Sequence, residues 1–270
     1  MNVAVLGAGG WGTTLSIVLH ENGHDVDLWE FNSEYAKTIA EYRENFYYLP
    51  GIKIPRKIRI SNDLESSIFR KNLIIVATPT QFIRNSFESL KNYNFGNSLI
   101  VSVSKGIEKG SLMLVSDMLL DVLKKTKSGN ILCLSGPSHA EEVSRRVPTA
   151  VVCAGTDNEI MKLGLKMNAR RETFFGLSGI GDLIVTCSSK HSRNRSVGEQ
   201  IGKGRKLDEI LKEMKMVAEG VTTTESAFEL SKKLNIELPI TSQVYKILFA
   251  GKDPQKATKV LMTRELKIEN

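Results

Sequence analysis

Short runs of Val, Ile and Leu recur along the first 155 residues, at positions 3–6, 26–29, 73–77, 99–103, 131–134 and 150–154. They lack strict apolar–polar alternation, which marks strands covered on both faces. Stretches with helical spacing separate them, at 13–22, 33–42 and 112–124, and Gly23 suits the left-handed residue just past the end of the first. Strands alternating with helices predict a parallel sheet with right-handed crossovers. From about residue 160 the strand-like runs give way to amphipathic helical patterns at 207–214, 223–233 and 242–249. The expectation is an α/β domain built on a parallel sheet over 1–159 and a second, mainly helical domain over 160–270.

The first strand runs straight into GAGGWG, residues 7–12, and then into a helix. That context makes the glycine spacing a dinucleotide-binding signature. Gly7 permits the tight turn, Gly9 lets bare backbone approach a pyrophosphate, and Gly12 allows helix and strand to pack closely. The anion rests on the free N–H groups at the helix start, where the macrodipole also favours it. The second strand ends at Trp29-Glu30, 18 residues beyond Gly12. A carboxylate there accepts from the ribose hydroxyls and repels a 2′-phosphate, so Glu30 predicts NAD as the preferred cofactor, with NADP possible.

Two further clusters carry chemistry. Thr78-Pro79, Ser104-Lys105-Gly106 and Ser135-Gly136-Pro137-Ser138 each follow a predicted strand, the end at which open α/β sheets bind ligands. Lys105 reads either as a ligand-reaching lysine or as an exposed loop residue. The segment GIGDLIVTCSSKHSRNRS, 179–196, places Asp182 and Thr186 one helical turn apart. Arg193, Asn194 and Arg195 add forked and neutral donors suited to phosphate oxygens, or else form a solvated basic loop.

Composition alters this picture little. The net charge is +7, but the basic residues are dispersed and no nucleic-acid motif is visible, so a solvated basic surface is favoured over nucleic-acid binding, and a cleft that attracts an anionic small molecule is the third reading. No apolar run approaches the length of a membrane span, and the glycine-broken N-terminus does not read as a signal peptide. Three widely separated cysteines, Cys133, Cys153 and Cys187, predict reduced thiols in a cytoplasm and no metal site. Of the four histidines, His20 and His24 sit at the wrong end of the first helix. His139 and His191 have no evident carboxylate partner, which argues against a histidine-based hydroxy-acid dehydrogenase.

GAGGWG, SKGIE, LSGPSHAEEV, PTAVV, ETFFGLSGIGDLIVTC, SRNR, EGV, LPI and GKDP occur in one order from end to end of the chain. Together they resemble the bacterial-type NAD(P)-dependent glycerol-3-phosphate dehydrogenases. The resemblance implies a Rossmann (doubly wound parallel sheet) domain followed by an all-α substrate domain, and reversible reduction of dihydroxyacetone phosphate to sn-glycerol 3-phosphate for phospholipid synthesis, in a homodimer. It assigns Gly10, Trp11, Pro79, Ala140, Val217 and Glu219 to the cofactor, with Lys105 and Arg193 near both ligands. Gly136, Ser138, Asp182, Ser192, Arg193 and Asn194 fall at substrate positions, and Lys105, Asp182 and Thr186 at catalytic ones. Two departures accompany it. The arginine that many relatives place after the second strand is replaced by Glu30-Phe31. The GALKN-like helix that carries the family's acid–base lysine has no counterpart. About sixty residues of the family pattern are missing near Glu159-Ile160, leaving a second domain of about 110 residues, still a normal domain size. Either the molecule carries a segment that this sequence lacks, or the chain is a shortened NAD-binding relative.

Overall fold

The computed structural model describes residues 1–136, 138–147, 149, 152–155 (backbone only) and 176–263. Its strands are β1 (Asn2–Leu6), β2 (Asp25–Trp29), β3 (Glu44–Asn45), β4 (Leu49–Lys53), β5 (Arg59–Ser61), β6 (Leu73–Val76), β7 (Leu99–Ser102), β8 (Ile131–Ser135) and β9 (Val152–Gly155). Seven of them form one sheet in the order β5-β2-β1-β6-β7-β8-β9, and β3 and β4 form a separate hairpin. The strand order reverses between β1 and β6, as a doubly wound sheet requires.

The apolar runs are continuous because the sheet is buried on both sides. Along β1, Ala4 and Leu6 enter one apolar layer while Val3 and Val5 enter the other. The same division places Ile74 and Val76 opposite Ile75, and Ile100 opposite Val101. Helices Thr80–Phe87 and Val115–Val122 close the first layer with Ile83, Phe87, Met118 and Leu119. Helices Gly10–Glu21 and Ser33–Tyr42 close the second with Ile17 and Ile39. Side chains that alternate between two dry layers leave no polar period for the sequence to show.

Three local features differ from the sequence pattern. The strand expected over 150–154 is β9, and it runs antiparallel to β8, with Ser135 opposite Val152 and Leu132 opposite Gly155. Within the described part of the β8–β9 connection the only helix is Ala140–Val143. At about 1.5 Å rise per residue, so short a helix does not carry the chain back along a five-residue strand, as a parallel crossover must. The edge strand β5 and the β3–β4 hairpin had no apolar run to announce them. The first helix starts at Gly10 rather than at 13, because two of its opening residues are glycines. The 159/160 boundary lies outside the described residues.

After residue 176 the described chain is helical: a π-helical turn Leu177–Gly181, then helices Asp182–Ser188, Arg193–Gly202, Leu207–Glu213, Glu219–Lys233, Pro239–Phe249 and Pro254–Met262. Their own buried cluster is small, built on Val197, Ile210, Ala218 and Val221. A second cluster joins Leu230 of the long helix to Ile107 in the loop after β7. Lys109 pairs with Glu225 at 3.0 Å across the same junction. This contact holds the helical part over the carboxyl edge of the sheet.

Phe87 is 1% exposed at the centre of the first layer. Phe87→Ala is expected to lower stability by about 3–5 kcal/mol in urea unfolding; a loss below about 1 kcal/mol would contradict the packing described.

Candidate active site

The glycine loop is shaped by three different demands. Gly7 has a φ of +116°, and a Cβ there would lie 2.9 Å from the Ala77 backbone. A Cβ on Gly12 would sit 2.0 Å from the Gly7 carbonyl oxygen, so helix and strand touch through bare backbone. Gly9 is different, since a Cβ there would meet nothing within 4 Å. That space opens into the cleft. Gly9 is also the N-cap of helix Gly10–Glu21, and it offers no side chain to bond the first amides. No acidic residue stands in the first turn. A pyrophosphate fits this arrangement: unclaimed donors, a favourable dipole and room at the one glycine whose Cβ would be in the way.

Glu30 follows β2 directly and lies on the same cleft. Its carboxylate accepts from the Asn32 amide at 2.9 Å and from the Ala8 amide. Burial pushes its pKa above the ordinary carboxylate value, against the pull of those two donors. Trp11, Pro79 and Ala140 line the cleft around the loop. The Ala140 carbonyl accepts from Thr14 of the first helix at 3.2 Å.

At the other end of the cleft the helical part meets the sheet edge. Lys105, after β7, reaches Asp182 at 2.8 Å and the Gly136 carbonyl at 3.3 Å. Asp182 opens helix Asp182–Ser188, and Thr186 stands one turn later, also on the cleft. Glu219 opens the long helix and crosses to the sheet, accepting from the Thr80 amide at 2.9 Å and the Thr80 hydroxyl at 3.2 Å. Burial raises its pKa; the Thr80 donors, the Arg193 charge and the Lys105 amide oppose that rise. The same Thr80 hydroxyl lies 3.0 Å from the Lys105 carbonyl, so its single proton is shared between that carbonyl and Glu219.

Arg193 and Asn194 lie in the first turn of helix Arg193–Gly202, where no acid competes for an anion. Arg193 donates to the Val217 carbonyl at 3.3 Å, and Asn194 accepts from the Gly220 amide at 3.1 Å. Ser192 is 5% exposed, and its hydroxyl caps this helix through the Arg195 amide. Its visible role is therefore to fix the turn that presents Arg193 and Asn194. Ser138 and Val217 also line the cleft. Gly136 is the one predicted residue that contributes only its carbonyl, to Lys105.

The structure adds residues that the sequence reading passed over. Thr80 gave no signal beyond its place after Pro79. His139 and His191 face each other with ring centroids 6.1 Å apart, both on the cleft. Among the described residues no carboxylate bonds to either ring, and the buried Nε2 of His139 has no partner. Cys133 and Cys187 form no disulfide. No group of three or more His, Cys, Asp or Glu among the described residues is placed to hold a metal ion. No helix among them is long and apolar enough to cross a membrane.

A family model for the N-terminus of NAD-dependent glycerol-3-phosphate dehydrogenase matches residues 2–161, and one for its C-terminus matches 133–259. The chain belongs to this family. It is 38% identical to a glycerol-3-phosphate dehydrogenase (NAD(P)+) of Chlorobium luteolum, in an alignment that takes in all of this chain and 99% of that protein. Its identity to the corresponding protein of Carboxydothermus hydrogenoformans is 37%, over all of this chain and 98% of that one. A solved glycerol-3-phosphate dehydrogenase of Coxiella burnetii superposes with a TM-score of 0.89 at 27% identity, covering 97% of this chain and 99% of that chain. The Plasmodium falciparum structure shares the fold, with a TM-score of 0.83 at 18% identity. The C. luteolum alignment runs over 331 positions against 270 residues here, so 61 positions (331 − 270 = 61) have no counterpart in this chain.

The loop geometry separates two glycine substitutions. Gly9→Ala should leave stability within about 0.5 kcal/mol of the parent yet weaken NADH binding about tenfold or more, since each 1.4 kcal/mol of clash is tenfold in affinity. Gly12→Ala should lower the melting temperature clearly even without nucleotide. Thermal melts and NADH fluorescence titration read both, and equal effects on folding and binding at the two positions would refute the assignment.

Proposed function

We propose that the chain reduces dihydroxyacetone phosphate reversibly to sn-glycerol 3-phosphate, with NADH preferred over NADPH. The observation that carries this reading is the Lys105–Asp182 pair, which joins the sheet edge to the helical part in the same cleft as the glycine loop. Such a place suits a three-carbon phosphate ester lying between a nicotinamide and a basic helix start.

Bound along the glycine loop, the nicotinamide cofactor supplies a hydride to C2 of the ketone. Lys105 would face the carbonyl oxygen as that oxygen gains charge; its ammonium would stabilise the developing alkoxide, which takes the proton that completes the alcohol from solvent. Asp182 orients the ammonium through the 2.8 Å contact. Arg193, Asn194 and the first amides of their helix hold the phosphate end. Thr186 borders the reacting carbons from the Asp182 helix, while Glu219 and Thr80 fix the lysine loop. Holding hydride donor and acceptor in one orientation contributes much of the rate. Residues 1–159 form the cofactor domain and 160–270 the substrate domain in this reading. A cytoplasmic homodimer that supplies glycerol 3-phosphate for phospholipid synthesis follows from the family resemblance.

The 61 unmatched positions support a second reading, a nucleotide-binding relative without turnover. Purified protein with NADH and dihydroxyacetone phosphate separates the two. Ketone-dependent NADH oxidation is expected; tight NADH binding with no oxidation would favour the second reading. An intact mass near 30.0 kDa would establish that the active or inactive species lacks those positions.

Lys105→Met is expected to lower kcat by about 10²–10³-fold, as loss of a donor to a developing oxyanion does, with NADH affinity little changed. Unaltered kcat would remove Lys105 from the chemistry. Glu30→Ala should narrow the preference for NADH over NADPH by about tenfold, equivalent to roughly 1.4 kcal/mol of lost discrimination. An unchanged ratio of kcat/KM values would show that Glu30 does not select the cofactor.

A further inference from the structure

The β3–β4 hairpin is an addition to the strand–helix alternation, and it packs directly on the glycine loop. Leu49 and Ile54 anchor it in the layer that also holds Val3, Val5 and Ile17. The Tyr48 carbonyl lies so close to Gly10 that a Cβ there would come within 2.6 Å of it. Asn45, at the end of β3, is fully buried. Its amide nitrogen donates to the Ala8 carbonyl at 2.7 Å and to the Thr13 hydroxyl at 2.8 Å. Its oxygen accepts from the Tyr35 hydroxyl at 2.5 Å and from the Tyr48 amide at 3.1 Å.

This set fixes the orientation of the carboxamide, because the Ala8 carbonyl can only accept and the Tyr48 amide can only donate. All four hydrogen-bonding positions of the amide are filled. Aspartate has no donor for Ala8 when ionised, and serine or alanine leaves buried groups unpaired. Ala8 is buried between Gly7 and Gly9. Its carbonyl is held by Asn45, and its amide faces the Glu30 carboxylate. Without these two contacts the glycine-rich backbone would have to be ordered when the nucleotide binds, at a cost in affinity.

We infer that Asn45 is a positioning residue for cofactor binding, a buried clamp that holds the glycine loop in its pyrophosphate-receiving shape before the nucleotide arrives. The inference rests on the reading of residues 7–12 as the cofactor loop. Tyr35 completes the clamp from the second helix. It stacks on Tyr47 at 4.8 Å, and its hydroxyl accepts from the Tyr47 amide while donating to Asn45.

Asn45→Asp tests this with almost no change of shape. NADH affinity, measured by fluorescence titration, is expected to fall about ten- to hundredfold, the scale of an ångström-level misplacement. KM for the ketone and kcat at saturating NADH should stay within about threefold, since the groups around the reacting carbons are untouched. Hydrogen exchange without nucleotide should accelerate in peptides covering 7–13 but not in those from β6 and β7. Wild-type exchange in that loop together with an NADH Kd within twofold of the parent would overturn the proposal. Should Asn45→Asp fail to fold, Tyr35→Phe decides the matter. It removes one arm of the clamp and is expected to raise the Kd severalfold and loosen the same peptides; no change in either overturns the proposal. Failure of the unaltered protein to bind NADH would instead count against the cofactor reading. The exchange measurement would still support or overturn the clamp.

Discussion

A parallel sheet buried on both faces can expose its strand ends only at its two edges, and this protein places its chemistry at the carboxyl edge. The glycine loop follows β1, Glu30 follows β2, Pro79 follows β6 and Lys105 follows β7. What allows the edge to work is the contact between Gly12 and the Gly7 carbonyl, where any side chain would push helix from strand. That single close approach brings the start of the first helix to the sheet and aims its unclaimed amides into the cleft. The loop after β1, Lys105 and the start of helix Arg193–Gly202 all face the same cleft.

The helical part is less self-sufficient than the sheet. Its own buried cluster is small, and the long helix gains burial by packing Leu230 on Ile107. Two polar links cross the same junction: Glu219 accepts from the Thr80 amide, and Lys105 donates to Asp182. Glu219 and Asp182 are therefore positioned by contacts between the helical part and the sheet edge rather than by a separate core. Burial raises the pKa of Glu219, and three neighbours, Thr80, Arg193 and Lys105, oppose that rise by stabilising its charged form.

Polar groups behind the site do as much as those that face the ligand. Ser192 caps the helix that carries Arg193 and Asn194, and Asn45 fills every bond its carboxamide can make while holding Ala8. Both are buried, so each unsatisfied alternative is costly, and that cost keeps one geometry. The pairing of His139 with His191 is of another kind, two rings brought near one another without a carboxylate to orient them. It gives no support to a histidine-centred mechanism.

The sequence by itself determined the local features. Apolar runs marked the central strands, because burial on both faces requires apolar residues at every position. The glycine spacing marked the tight strand-to-helix turn, since Gly7 and Gly12 leave no room for a side chain, and the SRNR segment marked a basic helix start. Features settled by contacts between distant residues left no such trace. Asn45 lies 37 residues from Ala8, and Thr80 lies 139 from Glu219. The direction of β9 depended on the path of a connection, and β5 was too short to show a period. A side chain's hydrogen-bond partner across the fold is not written in its neighbours along the chain. Only the packing of two apolar layers onto one sheet brought those groups within bonding distance.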